Sequence, residues 1–188
     1  MFIKQQSFYN VDMIITQTSS SLNIEVIPAL PEQEPILANL FELYAHDFSE
    51  FIDLKLDADG RFGYEHLPLY WQEPNRNPFL ILVNGQWAGF VLIQRGSQIS
   101  GDVNVWDIAE FFIIRGYRHR GIGRTVTHEV WRQFSGKWEV RVIERNQKAK
   151  DFWARAIGEF TDKVIDPIPF EKDGKGWQVF SFESKHTA

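Results

Sequence analysis

The chain of 188 residues contains no cysteine. That absence removes disulfides, thiolate metal sites and cysteine nucleophiles together. No apolar run approaches the roughly 20 residues that cross a bilayer, and the N-terminus lacks the charged-then-apolar order of a secretion signal. Excess positive charge is missing as well. The formal net charge is −5 at pH 7, which argues against a general nucleic-acid binder, because phosphate contacts demand a basic surface. Metal-ligand spacing is also wanting: His46 and His66 have no partners at zinc spacing. The run Asp57-Ala58-Asp59-Gly60 lacks the bidentate glutamate that a calcium loop requires. No internal repeat is present, nor a charge run long enough for a disordered tail. A soluble cytoplasmic protein without metal, membrane or nucleic-acid partners is the simplest expectation.

What is present is aromatic bulk. Seven tryptophans and sixteen phenylalanines, in a chain that is 44% hydrophobic, suit one well-packed domain rather than two cramped ones. Residues 1–21, ending in Thr18-Ser19-Ser20-Ser21, read as an extension with little fixed structure, leaving 22–188 as the domain. Leu22 to Ile27 reads as a strand closed by Pro28. From Pro31 to about Phe48, Ile36, Leu37, Leu40, Phe41, Tyr44 and Phe48 recur at helical spacing. Asp53 to Pro78 shows no clear periodicity, and so long a connection is usually functional or mobile. Phe79–Val83 and Gln86–Ile93 flank Asn84-Gly85, the strongest short hairpin signal. A strand from Trp106 to Ile114, a helix from Gly121 to about Phe134, a strand from Trp138 to Ile143 and a helix from Gln147 to Ala156 follow. Val164–Ile168 and Trp177–Phe182 close the chain as strands around Asp173-Gly174-Lys175-Gly176. This order predicts a mixed α/β sheet with helices on both faces.

One segment carries chemistry. Arg118-His119-Arg120-Gly121-Ile122-Gly123 lies between a strand and a helix start, where backbone N–H groups and the helix dipole hold a diphosphate. Arg115, Arg118, Arg120 and Arg124 bring neutralising charge. The competing readings are an ordinary strand–turn–helix with solvated arginines, or an RNA-contacting patch.

Arg118, Gly121 and Gly123 fill the signature of the GNAT superfamily of acyl-CoA-dependent N-acyltransferases, which the chain resembles. A second block, Asn146 with Ala149, Phe152-Trp153 and Gly158-Glu159-Phe160, follows in the matching order. The resemblance covers about Leu22 to Glu183, most densely from Trp106 to Phe160. It implies a mixed, mostly antiparallel central sheet. It also implies direct acetyl transfer from acetyl-CoA to a primary amine of a small molecule or peptide, or else a non-catalytic acyl-CoA-binding module. Dimer formation is common in the family.

By the same resemblance, the backbone of Phe111, Phe112 and Ile113 holds the pantetheine arm. Arg118, His119, Arg120, Gly121, Ile122, Gly123 and Arg124 hold the pyrophosphate. Asn146 faces the cofactor, although asparagine is also a frequent helix cap. The base would be Asp107 or Glu110. Strand alternation places these two on opposite sides, so only one can line the acceptor cleft, and Glu110 has the longer reach. Tyr44, Asp47 and Glu50 would give the acceptor cleft an acidic, aromatic lining suited to a cationic amine. Trp153 stands where many family members carry a tyrosine that protonates the leaving thiolate. An indole N–H is too weak an acid for that, so Trp153 is expected to pack or to wall the cleft.

Overall fold

The computed structural model describes residues 14–18 and 22–185. Asn84 and Gly85 take φ of 51° and 73°, the doubly left-handed backbone that a two-residue hairpin turn requires. They join β3 (Arg76–Val83) to β4 (Gln86–Arg95) at the centre of an eight-stranded sheet. The other strands are β1 (Ile14–Thr18), β2 (Leu22–Pro28), β5 (Trp106–Ile113), β6 (Gly136–Ile143), β7 (Ile168–Lys172) and β8 (Lys175–Ser184). The order across the sheet is β1-β2-β3-β4-β5-β6-β8-β7. Every neighbouring pair is antiparallel except β5 and β6.

Among the described residues three α-helices cover the sheet: α1 (Glu34–Phe48), α2 (Ile122–Gln133) and α3 (Gln147–Thr161). Leu37, Leu40 and Phe41 of α1 pack on one face against Leu80, Phe90, Leu92 and Phe112. On the other face Ile122 and Val126 of α2, with Trp153 and Ile157 of α3, meet Ile81, Val91, Trp138 and Phe180. The helices therefore lie on both faces, as the strand and helix order implied. The long segment after α1 is tied to that helix. Glu42 accepts the backbone N–H of Phe62 and of Gly63, both at 2.9 Å.

Two expectations change. Ile14–Thr18, part of the stretch expected to lack structure, pairs with β2 from Ile14 opposite Val26 to Thr18 opposite Leu22. The remainder of residues 1–21 lies outside the described residues. The strand expected at Val164–Ile168 begins instead at Ile168, and Val164 is 91% exposed. A tight turn at Asp173 and Gly174, with φ of 53° and 69°, sets Lys172 opposite Lys175. On the edge away from β6, the partners of β8 are thereby fixed as residues 168–172.

The decisive irregularity is in β5. Glu110 stands opposite Leu92, but Ile108 stands opposite Ile93, so Ala109 is an extra residue in a β-bulge. Bulges bend a strand and break its two-residue alternation. β5 pairs with β6 at only three positions, Trp106 to Ile108 against Trp138 to Val140. From the bulge onward the two strands part.

Candidate active site

The gap between the parted strands is a cleft of about 170 Å³. Its walls come from Glu110 and Phe111 of β5, Arg141 of β6, Tyr44 of α1, Trp153 of α3 and Asn146 just before that helix. Glu110 is half-buried there. Because of the bulge, Asp107 and Glu110 share the α1 face of the sheet rather than opposing faces, and both feel the Arg141 guanidinium. The opposite-sides expectation thus fails for a local reason.

The two carboxylates differ in their freedom. Asp107 is 1% exposed and does not line the cleft. It accepts Arg141 Nη2 at 2.8 Å, Arg141 Nε at 3.3 Å and Gln94 Nε2 at 3.1 Å. A carboxylate so occupied positions Arg141 and has no free oxygen facing the cleft. Burial pushes its carboxyl up, while Arg141 and Gln94 pull the other way. Among the described residues Glu110 has no such committed ion pair. Burial lifts it to about 7, opposed by the Tyr44 hydroxyl and Arg141 and reinforced by the Asp107 charge. A carboxylate poised near neutrality in a cleft is suited to general acid–base work.

Past Ile108 the outer edge of β5 has no strand partner among the described residues. Main-chain groups along a strand alternate between its two neighbours. The Phe112 carbonyl faces Gly89 of β4, so closely that a Cβ on Gly89 would sit 2.0 Å from it. The Phe112 side chain is buried against α1. Phe112 therefore offers the cleft nothing, and Phe111 and Ile113 carry the open edge. Even there the Ile113 carbonyl already accepts Arg118 Nε at 2.7 Å.

At the end of that edge Gly121, with φ of 78°, precedes α2 and gives it no side-chain cap. The first-turn N–H groups of Ile122, Gly123 and Arg124 have no intrahelical acceptors. Gly123 is hemmed in, since a Cβ there would lie 3.1 Å from the Phe152 ring. His119 (φ 61°) and Arg120 are exposed in the turn. Open amides on a strand edge leading to an uncapped helix start fit a ligand with an amide-bearing arm and a diphosphate.

The arginines do less there than expected. Arg118 turns toward α1, with Nη2 2.6 Å from Asp47 and its guanidinium over the Phe112 ring. Arg115 reaches Asp47 at 2.8 Å, and Arg124 pairs with Glu159 at 3.0 Å. Burial pushes the Asp47 carboxyl up, but hydrogen bonds from Arg115 and Arg118 outweigh this and hold it below its usual range. Asp47 is thus a latch between α1 and the turn, not an acceptor ligand. Glu50 is exposed and also off the cleft. Of the three residues expected to bind the acceptor, Tyr44 alone lines it.

Asn146 caps α3, its Oδ1 accepting the Ala149 N–H at 3.0 Å, and the same side chain borders the cleft. Trp153 is buried, with ring centroids 5.3 Å from Phe111 and 6.2 Å from Trp131, and walls the cleft from behind. Packing and lining are one role. Sequence reasoning does not pick out Arg141, nor Tyr64, which acts on the Glu110 carboxyl. Arg141 alone leaves a trace, as a charge between Val140 and Val142 in a strand.

Residues 37–158 match the model of the acetyltransferase (GNAT) family. The chain belongs to the GNAT family. It is an acyltransferase. Solved structures agree on the fold of this GNAT protein. An acetyltransferase from Thermus thermophilus is 18% identical, with a TM-score of 0.64 over 85% of this chain and 96% of its own. A Salmonella typhimurium protein solved with its cofactor acetyl-CoA is 13% identical, with a TM-score of 0.60 over 88% and 96%. NAA60 from Arabidopsis thaliana, in complex with a bisubstrate analogue, is 16% identical, with a TM-score of 0.58 over 85% and 97%. No curated protein sequence matches the chain. Among the described residues no helix is long and apolar enough to cross a membrane, and no cluster of three metal-ligating side chains forms.

Proposed function

We propose that this GNAT protein transfers an acetyl group from acetyl-CoA directly to a primary amine, with Glu110 as the general base. The observation that carries this reading is the placement of Glu110, a carboxylate raised to about 7, in the cleft where β5 leaves β6. Acetyl-CoA supplies the thioester-activated acetyl group. The open main chain of Phe111 and Ile113, the first-turn amides of α2 and the Asn146 side chain would hold it. Glu110 takes the proton from the acceptor ammonium, leaving a neutral nitrogen able to attack. Burial makes that carboxylate more basic than one in water, and Tyr44 borders its approach. A module that only binds acyl-CoA has no use for such a group. The cytoplasm, where acetyl-CoA is consumed, is the setting that goes with this reading. Thiol release from acetyl-CoA across a panel of primary amines tests it, and no release with any amine despite tight cofactor binding would sink it.

Two variants probe the cofactor side. Gly121 has a left-handed backbone, and a Cβ there would meet nothing nearer than Arg124 at 3.9 Å. Gly121→Val therefore strains the turn by about 1–2 kcal/mol and puts bulk at the helix mouth without disrupting the core. Acetyl-CoA affinity by calorimetry is expected to fall on the order of 2 kcal/mol; an unchanged affinity would remove the turn from the site. Trp153→Phe is expected to cost about 1–3 kcal/mol of stability and to retain turnover within about tenfold, because water can protonate a thiolate and the indole N–H is no acid. A loss of about a thousandfold in a folded Trp153→Phe protein, the scale of a true acid–base group, would assign Trp153 a chemical role.

A further inference from the structure

A second cavity, of about 140 Å³, adjoins the cleft. Gln98, Ile99, Arg141, Lys172, Asp173, Lys175 and Trp177 line it. Arg141 and Trp177 border both spaces, so the two lie side by side. Its charge is opposite to what an acidic acceptor lining would give: three cations against the single carboxylate of Asp173.

Those cations have capacity to spare. Lys172 and Lys175 stand directly opposite each other at the end of the β7–β8 hairpin. Like charges in that position repel. Neither lysine has an ion-pair partner among the described residues. Arg141 donates Nε and one Nη2 hydrogen to Asp107, which leaves part of its five-donor fork unused. An anion seated between these groups would relieve the repulsion and fill the fork. The volume admits a compact group, not a polymer.

We propose that the acceptor is a small amine that also carries a compact anionic group, its amine at Glu110 and its anion held by Arg141, Lys172 and Lys175. This rests on the acetyl-transfer reading and names the substrate class for it. The two ends of the acceptor meet opposite charges: a carboxylate for the ammonium, and a cationic recess beyond Arg141 for a carboxylate or a phosphate monoester. A neutral or polycationic amine leaves the lysines unmatched and brings like charge to them.

The test uses matched pairs that differ only in the anion: β-alanine against ethylamine, 4-aminobutyrate against propylamine, and phosphoethanolamine against ethanolamine. At least one anionic member is expected to show a kcat/KM about tenfold or more above its twin. Whether the preferred pair is a carboxylate or a phosphate tells the two anions apart. In the Lys172→Ala, Lys175→Ala double variant that ratio is expected to drop by about fivefold or more, mainly through KM. Calorimetry of the preferred anionic amine with the coenzyme A-loaded protein is expected to show the same weakening without turnover, while acetyl-CoA binds the variant as it binds the parent. Equal or better turnover of every anion-free twin overturns the anion site and leaves acetyl transfer standing. A ratio unmoved by the double substitution also overturns it. Acetyl-CoA binding without acetylation of any amine removes the transfer reading, and this inference with it.

Discussion

Glu110→Gln is expected to lower turnover by about 10²–10⁴-fold, the usual contribution of a general base, with acetyl-CoA affinity unchanged. The substitution keeps the shape and removes the charge, so packing around Tyr44 is preserved. In the parent enzyme the acidic limb of the pH–rate profile should rise through about 7, where the buried carboxyl loses its proton. The variant should lack that limb. Stability should move the other way. Below the ordinary glutamate value of 4.5 the carboxyl is neutral in both folded and unfolded chains. Between there and about 7 only the unfolded chain releases the proton, so the folded state loses stability as pH rises. The loss is at most about 3 kcal/mol, trimmed by solvent on the open side of the cleft. At a pH of about 8, above both values, the glutamine variant is therefore expected to melt higher than the parent. Near-parental turnover, or an unchanged acidic limb, would take the base role from Glu110.

The second large effect concerns Arg141. Arg141→Met leaves Asp107, 1% exposed, as a buried carboxylate whose only remaining side-chain partner is Gln94. Breaking a buried pair from one side costs about 3–5 kcal/mol. A protein of this size should lose roughly 6–20 °C in melting temperature. Removing both charges, as Asp107→Asn with Arg141→Met, should restore part of that loss, because no unpaired ion is left behind. Activity separates structure from chemistry. Arg141 pulls the Glu110 carboxyl down and the Asp107 charge pushes it up, so the acidic limb should move to higher pH in the Arg141→Met single variant and fall back toward the parental position in the double variant. Additive melting losses, with no recovery in the double variant, would show that the pair is not energetically coupled.

Much of the fold can be read from local chemistry. Asn84-Gly85 sets its own turn, and the apolar face of α1 and the strand–turn–helix around Gly121 each follow from neighbours within a few residues. What escapes depends on distant partners. Asp47 reads as an acceptor ligand because nothing nearby in sequence shows that Arg118, 71 residues later, takes its charge. Arg118 itself reads as a phosphate ligand until α1 is placed beside it. The displacement of β7 has the same origin, since its register comes from β8 and not from its own residues. Perfect alternation assigns Asp107 and Glu110 opposite faces, and a bulge leaves no plain mark in a run of apolar residues.

That bulge ties catalysis to chain length. Deleting Ala109 would restore a regular two-residue interval between Asp107 and Glu110 and keep each on its present face. It would also erase the bend that parts β5 from β6 just beyond Ile108. The ladder between the two strands would then be free to extend, and the slot would zip shut. Of the side chains that line the cleft, the deletion would remove a single methyl group, that of Ala109. One inserted residue thus separates a sealed sheet from an enzyme, so insertions and deletions in this strand weigh on activity as heavily as any substitution of the base.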